Sequence, residues 1–179
     1  MQALLTLSKG IDKLNDRFAW LAIWAILLSC LISALNAVVR YAFNYSSNGF
    51  LEIQWYLFAA AVMLGAAQVL RVNEHVRVDV LYNLYGGRRQ AILDATLTMV
   101  FLMGSMAVLL WFTWPLFVKM YVTNEMSSNA GGLIRWPVML MLPLGYVLLL
   151  LQGFSEVVKR IGWLTHQYEG DFHYERPLQ

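Results

Sequence analysis

The sequence has little of what a soluble domain is made from. Only 13% of its 179 residues are charged, against about a quarter in ordinary soluble domains. Its single cysteine, Cys30, excludes an internal disulfide and a cysteine-based metal site, and reads as a small packing residue. The three histidines, His75, His166 and His173, all lie outside the apolar runs. That speaks against a haem anchor, which needs axial ligands at membrane depth. It also leaves Ser29, Ser33 and Ser105 without the base an intramembrane serine protease requires. No clustered Cys, His or carboxylates have zinc-ligand spacing. No glycine-rich loop has phosphate-binding spacing, and Gly86-Gly87 is a turn. The net charge of +2 comes from basic residues at the ends of apolar runs. A nucleic-acid reader would cluster them on one face. These gaps argue against an enzyme and against any cofactor or metal held by this chain.

What is present is apolar surface. Hydrophobic residues make up 59%, and the mean hydropathy is +0.54. Runs of about 18 or more apolar residues mark membrane spans, and four are visible, at about 18–39, 50–70, 91–118 and 136–154. The expected fold is all-α: an integral membrane protein with four transmembrane helices. An amphipathic helix over 1–17 precedes them, with Leu4, Leu7, Ile11, Leu14 and Phe18 on one face. It is expected to lie along the membrane surface and lead into span one; a cleaved signal peptide fits poorly, because the following run is too long. The membrane domain covers 18–160, and a polar tail covers 161–179. Pro137 suits the first turn of span four, whereas Pro143 should kink it.

Ten of the thirteen Lys and Arg residues fall in the N-terminal segment, the connector 71–90 and the C-terminal segment. Arg40, Lys119 and Arg135 fall on the other side. The positive-inside rule therefore puts both termini and the middle connector in the cytoplasm. Trp20, Trp24, Tyr82 and Trp163 mark the inner interface; Tyr41, Tyr45, Trp55, Trp114, Tyr121 and Trp136 mark the outer one.

Ionisable groups in the spans are few. Glu52 and Asp94 lie near span ends, where the helix macrodipole favours a carboxylate. Glu52 has a second reading, a pair with Arg40 across the first outer loop. Asn36, Gln54 and Gln68 suit interhelical hydrogen bonds, and Ala61 with Gly65 suits close helix approach. Contact with a partner protein is expected at the outer loops, through Arg40, Glu52, Glu125, Ser128, Asn129 and Arg135. Neither a discontinuous helix pair nor an inverted repeat, the usual makings of a transport site, is evident.

Several stretches together resemble a known family. They are Arg40-Tyr41-Ala42-Phe43-Asn44, Glu52 opening span two, Gly65-Ala66-Ala67, Leu70-Arg71, and His75-Val76-Arg77-Val78-Asp79. Trp136-Pro137 and Leu142-Pro143-Leu144-Gly145 continue the pattern in span four. In order and spacing, from about Arg17 to Arg160, the chain is similar to the small membrane subunit of tripartite ATP-independent periplasmic (TRAP) transporters, the DctQ-like family. The resemblance implies a non-catalytic scaffold in the bacterial inner membrane. It implies a large membrane permease subunit that carries substrate and sodium sites and moves like an elevator, and a periplasmic substrate-binding protein. It implies organic-acid uptake, and the stretch from Ser128 to Pro137 is similar to the branch associated with keto acids. Two other readings remain: a standalone small transporter or channel, and a membrane anchor for a redox enzyme.

Overall fold

The computed structural model describes residues 1–45, 47–73 and 87–168. The His75–Asp79 motif, Tyr82, Gly86, Ser46, and the tail with His173 and Arg176 lie outside the described residues.

Helix α1 is Gln2–Phe43 and α2 is Asn48–Arg71. The third span is α3, Gly87–Leu97, then a π-helical turn, Thr98–Met103, then α4, Gly104–Thr123. Helix α5 is Trp136–Leu164. These make four stretches long and apolar enough to cross a membrane. Two of them stop at asparagines in the left-handed conformation, Asn44 after α1 and Asn124 after α4. Asparagine tolerates that geometry better than most residues, so it serves as a helix terminator. Ser47 starts α2 from an extended conformation, and its Oγ accepts the Gly49 N–H at 3.3 Å.

Two expectations change here. Residues 1–17 do not form a helix separate from span one; they are the first turns of α1. At 1.5 Å per residue, α1 is roughly 63 Å long, about twice the hydrocarbon core. Its N-terminal turns pack on α5 through Ser8, Ile11 and Asn15, all buried, while Leu4, Leu7 and Leu14 are exposed. Polar residues on both helices create that seam, and the leucine pattern alone does not show it. The second change is at the other end of the chain. Helix α5 continues ten residues past Phe154, where the apolar run ends, so Lys159 and Arg160 lie inside it. Pro143 lies within α5, buried, and the helix runs on through it.

Helices α1, α2 and α5 pack on one another, and the third span packs along α5. The core between them is Ala22, Leu64, Ala67, Leu148 and Leu149, flanked by Phe18, Ala60, Met106 and Leu144. Small residues set the spacing. Ala61 is buried, and a Cβ on Gly65 would stand 3.6 Å from the Ala22 Cβ, so α1 and α2 approach closely there. The π turn presents Leu102 and Met103 to Gly153, where a Cβ would meet both at 3.1 Å.

Gly145 is the tightest crossing. A Cβ there would sit 2.6 Å from Met63 Cε and 2.9 Å from the Met63 carbonyl oxygen. Backbone cannot swing aside, so Gly145→Ala is expected to destabilise the bundle by about 1–3 kcal/mol despite alanine's better helix propensity. Thermal unfolding in detergent checks this; an unchanged or raised midpoint would contradict the packing described.

Candidate functional site

The bundle has two polar ends. The hairpin end carries the α1–α2 turn and the loop 124–135; the terminal end carries residues 1–17 and the last turns of α5.

At the hairpin end, a carboxylate organises the loop. Glu52 belongs to the second turn of α2 and is only 3% exposed. Its Oε1 accepts from the Ser127 hydroxyl and from Asn129 Nδ2 at 2.8 Å; its Oε2 accepts from the Leu133 N–H at 2.6 Å. The loop braces itself as a short antiparallel pairing of Met126 with Ile134. Ser127 N–H bonds the Leu133 carbonyl and Arg135 N–H bonds the Glu125 carbonyl, each at 2.9 Å. Gly131 takes a φ of +70°, which favours glycine. A Cβ on Gly132 would stand 2.6 Å from the Ser127 Cβ, so only glycine fits. Two further donors from α2 fasten the rim: Tyr56 OH to the Ile134 carbonyl at 3.2 Å and Asn48 Nδ2 to the Ala130 carbonyl at 3.1 Å. Glu125 and Arg135 pair at 2.6 Å on the half-exposed outer side. Ring contacts run from Trp114 through Phe117 and Tyr121 to Trp136, the last pair edge to face, joining the end of α4 to the start of α5.

The structure therefore brings Glu52, Asn129, Glu125 and Arg135 into one cluster, and leaves Ser128 exposed on the loop. Arg40 is exposed in the last turn of α1 and does not pair with Glu52, because loop donors occupy both carboxylate oxygens. Being buried, Glu52 holds the loop and offers a partner no surface of its own. The hydroxyl on the carboxylate belongs to Ser127, which the sequence reading passed over in favour of Ser128.

At the terminal end lies a network the sequence reading missed. Ser8 and Ser155 share a hydrogen bond of 2.6 Å, and Asn15 Nδ2 donates to Gln152 Oε1 at 2.6 Å. Gln152 Nε2 donates to Asp12 and to Glu156, each at 3.0 Å. Lys159 Nζ bridges Asp12 and Glu156, each at 2.8 Å. Arg160 holds Glu156 at 2.9 Å and reaches Asp94 at 3.4 Å. Alongside, Arg71 pairs with Asp16 at 2.6 Å and donates to the Asp12 carbonyl at 3.1 Å. One polar layer thus ties all four spans together. Asp94, eight residues into α3, acts there as an ion-pair partner. The signal was present in the sequence: Gln152, Glu156 and Arg160 recur at four-residue steps, facing Ser8, Asp12 and Asn15 at steps of four and three.

Each of the three mid-span amides has one buried atom that lacks a hydrogen bond among the described residues: Asn36 Oδ1, Gln54 Nε2 and Gln68 Oε1. The α1–α2 seam is held at this level by packing and by a 3.4 Å bond from Ser29 Oγ to the Gln54 carbonyl. Among the described residues, no group of three or more His, Cys, Asp or Glu is placed to hold a metal ion.

Comparison with known proteins bears on the same stretch of chain. The family model for the DctQ component of tripartite ATP-independent periplasmic transporters matches residues 29–162. Over 89 residues the chain is 36% identical to a Haemophilus influenzae (strain ATCC 51907 / DSM 11121 / KW20 / Rd) protein assigned as a TRAP transporter small permease. That match covers 50% of this chain and 55% of the relative, so it spans about half the relative's length. No solved structure matches significantly.

Proposed function

The chain belongs to the DctQ component family of tripartite ATP-independent periplasmic transporters, and from that membership we propose that it is the fixed scaffold for a larger, moving permease subunit. It is a multi-pass membrane protein and a transporter component, not an enzyme. In the proposed assembly the large subunit carries the substrate and sodium sites and moves as an elevator. A periplasmic binding protein delivers an organic acid, with keto acids among the candidates. The site of action is the bacterial inner membrane, with both termini in the cytoplasm.

The observation that carries this reading is how the ionisable groups are spent. Asp12, Asp94, Glu156, Lys159 and Arg160 are engaged with one another across the helices. Such groups suit a wall that keeps its shape. The apolar stretch of the third span has no buried residue, so it has surface to offer both to lipid and to a partner.

Co-purification tests the proposal. A tagged copy of this chain, expressed with the large permease encoded beside it, is expected to bring that subunit down in a fixed ratio. Recovery of this chain alone, active in transport, would favour a standalone transporter.

The hairpin-end loop is the proposed docking face for the binding protein. Arg135→Glu is expected to slow association with the binding protein and flatten its salt dependence, as rim charges do. Surface plasmon resonance on the reconstituted complex measures both. Unchanged association for Arg135→Glu and for Glu125→Arg would remove the loop from the docking face.

A further inference from the structure

Helix α1 carries unequal charge on its two sides. Its acids are paired: Asp12, 19% exposed, with Lys159, and Asp16, 46% exposed at the border of the outward side, with Arg71. Its bases face outward. Lys9, Lys13 and Arg17 are exposed, and among the described residues none of the three is in an ion pair. At 100° per residue these three span an arc of about 80°. Trp20 and Trp24, packed edge to face at 5.7 Å, fall within the same arc. So do Leu27 and Leu31. The residues that α1 buries, Ser8, Ile11, Asn15, Ala22 and Ala25, centre about 180° away.

The strip is therefore ordered along the helix axis as well as turned away from the bundle. Three cations occupy roughly 12 Å of rise, the indole pair follows within about 11 Å of Arg17, and aliphatic residues come after. Trp20 is 58% exposed, Trp24 45%, Leu27 45% and Leu31 49%. This succession of cation, indole and aliphatic side chain repeats the profile of a lipid: charged headgroup, polar boundary, acyl chain. Leu14 and Leu21, also exposed, border the strip and offer apolar surface beside the cations.

We propose that the outward face of α1, Lys9, Lys13 and Arg17 with Trp20 and Trp24, binds the phosphodiester headgroup of an anionic membrane phospholipid. Lys13 and Arg17, one helical turn apart, supply the cations nearest the indoles. The lipid's acyl chains lie along Leu27 and Leu31. Charge complementarity selects an anionic headgroup over a zwitterionic one, because the strip carries three positive charges and the two acids beside it, Asp12 and Asp16, are paired with Lys159 and Arg71. Lipid seated there would hold the long N-terminal part of α1 at a fixed depth.

Tryptophan quenching by brominated lipids tests this with the full chain in bilayers. Brominated phosphatidylglycerol is expected to quench more than brominated phosphatidylcholine at equal mole fraction, corresponding to a preference of about threefold or more. The K9Q/K13Q/R17Q variant is expected to bring that ratio to about one, while K9R/K13R retains it. R88Q/R89Q, which removes an exposed basic pair at the start of α3, is expected to leave at least about half of it. Should the triple variant fail to fold, the wild-type chain decides the matter: its preference must vanish in about 1 M salt. Equal quenching by the two lipids, a preference that survives the triple variant or high salt, or an equal loss in R88Q/R89Q would overturn the assignment.

Discussion

Glu156→Leu is expected to destabilise the bundle by about 3–5 kcal/mol. The carboxylate side chain is 8% exposed and lies between Lys159 and Arg160, whose side chains are 9% and 8% exposed. Removing it leaves two cations in a buried seam with, among the described residues, Asp12 and Asp94 as acids beside them, and it strips Gln152 Nε2 of an acceptor. Breaking a buried pair from one side is costly because the survivor stays desolvated. The size of the effect depends on burial, which supplies its control. Glu125→Gln removes an acid from a pair whose side chains are 36–45% exposed, and such pairs contribute about 0–1 kcal/mol. Denaturation of both variants in detergent, followed by circular dichroism, makes the comparison. Similar midpoints for the two would mean that the terminal-end network does not hold the spans together.

Glu52→Ala is expected to release the hairpin-end loop and to cost about 3 kcal/mol. Three donors converge on that carboxylate: the Ser127 hydroxyl, Asn129 Nδ2 and the Leu133 amide. Hydrogen bonds to a charged group contribute about 1.5–3 kcal/mol each and do not add fully when they share one acceptor. The Leu133 amide gives a local readout, since its exchange with solvent is slowed by the Glu52 bond. Hydrogen exchange at residues 126–134 is expected to rise sharply in Glu52→Ala and partly in Glu52→Gln, which keeps one acceptor oxygen. Protection unchanged in both variants would contradict the view that Glu52 shapes the loop. The same variants separate loop order from surface charge in docking, because Glu52 is buried while Arg135 is not.

Much of this architecture is legible in the sequence, and the exceptions share a cause. Span number and approximate position follow from apolar runs, because lipid requires about 20 consecutive apolar residues whatever the neighbours do. Element ends are less legible. The chain 1–17 looks amphipathic, and the regular leucines suggest a helix lying flat. What orients it is Ser8, Asp12 and Asn15 meeting Ser155, Lys159 and Gln152, partners about 140 residues away. No local pattern contains that pairing. The same holds for Glu52, whose three donors lie 75–81 residues along the chain. A carboxylate near a helix start is ordinarily explained by the macrodipole, and its true role is set by a loop folding back over it.

A scaffold subunit supports transport without performing it, and uptake into proteoliposomes reads this out, with the proposed binding protein, a sodium gradient and a panel of radiolabelled small carboxylates. No uptake is expected with this chain alone or with the proposed large subunit alone, and uptake is expected when the two are reconstituted together. Uptake by this chain alone, with the large subunit absent, would contradict the scaffold role.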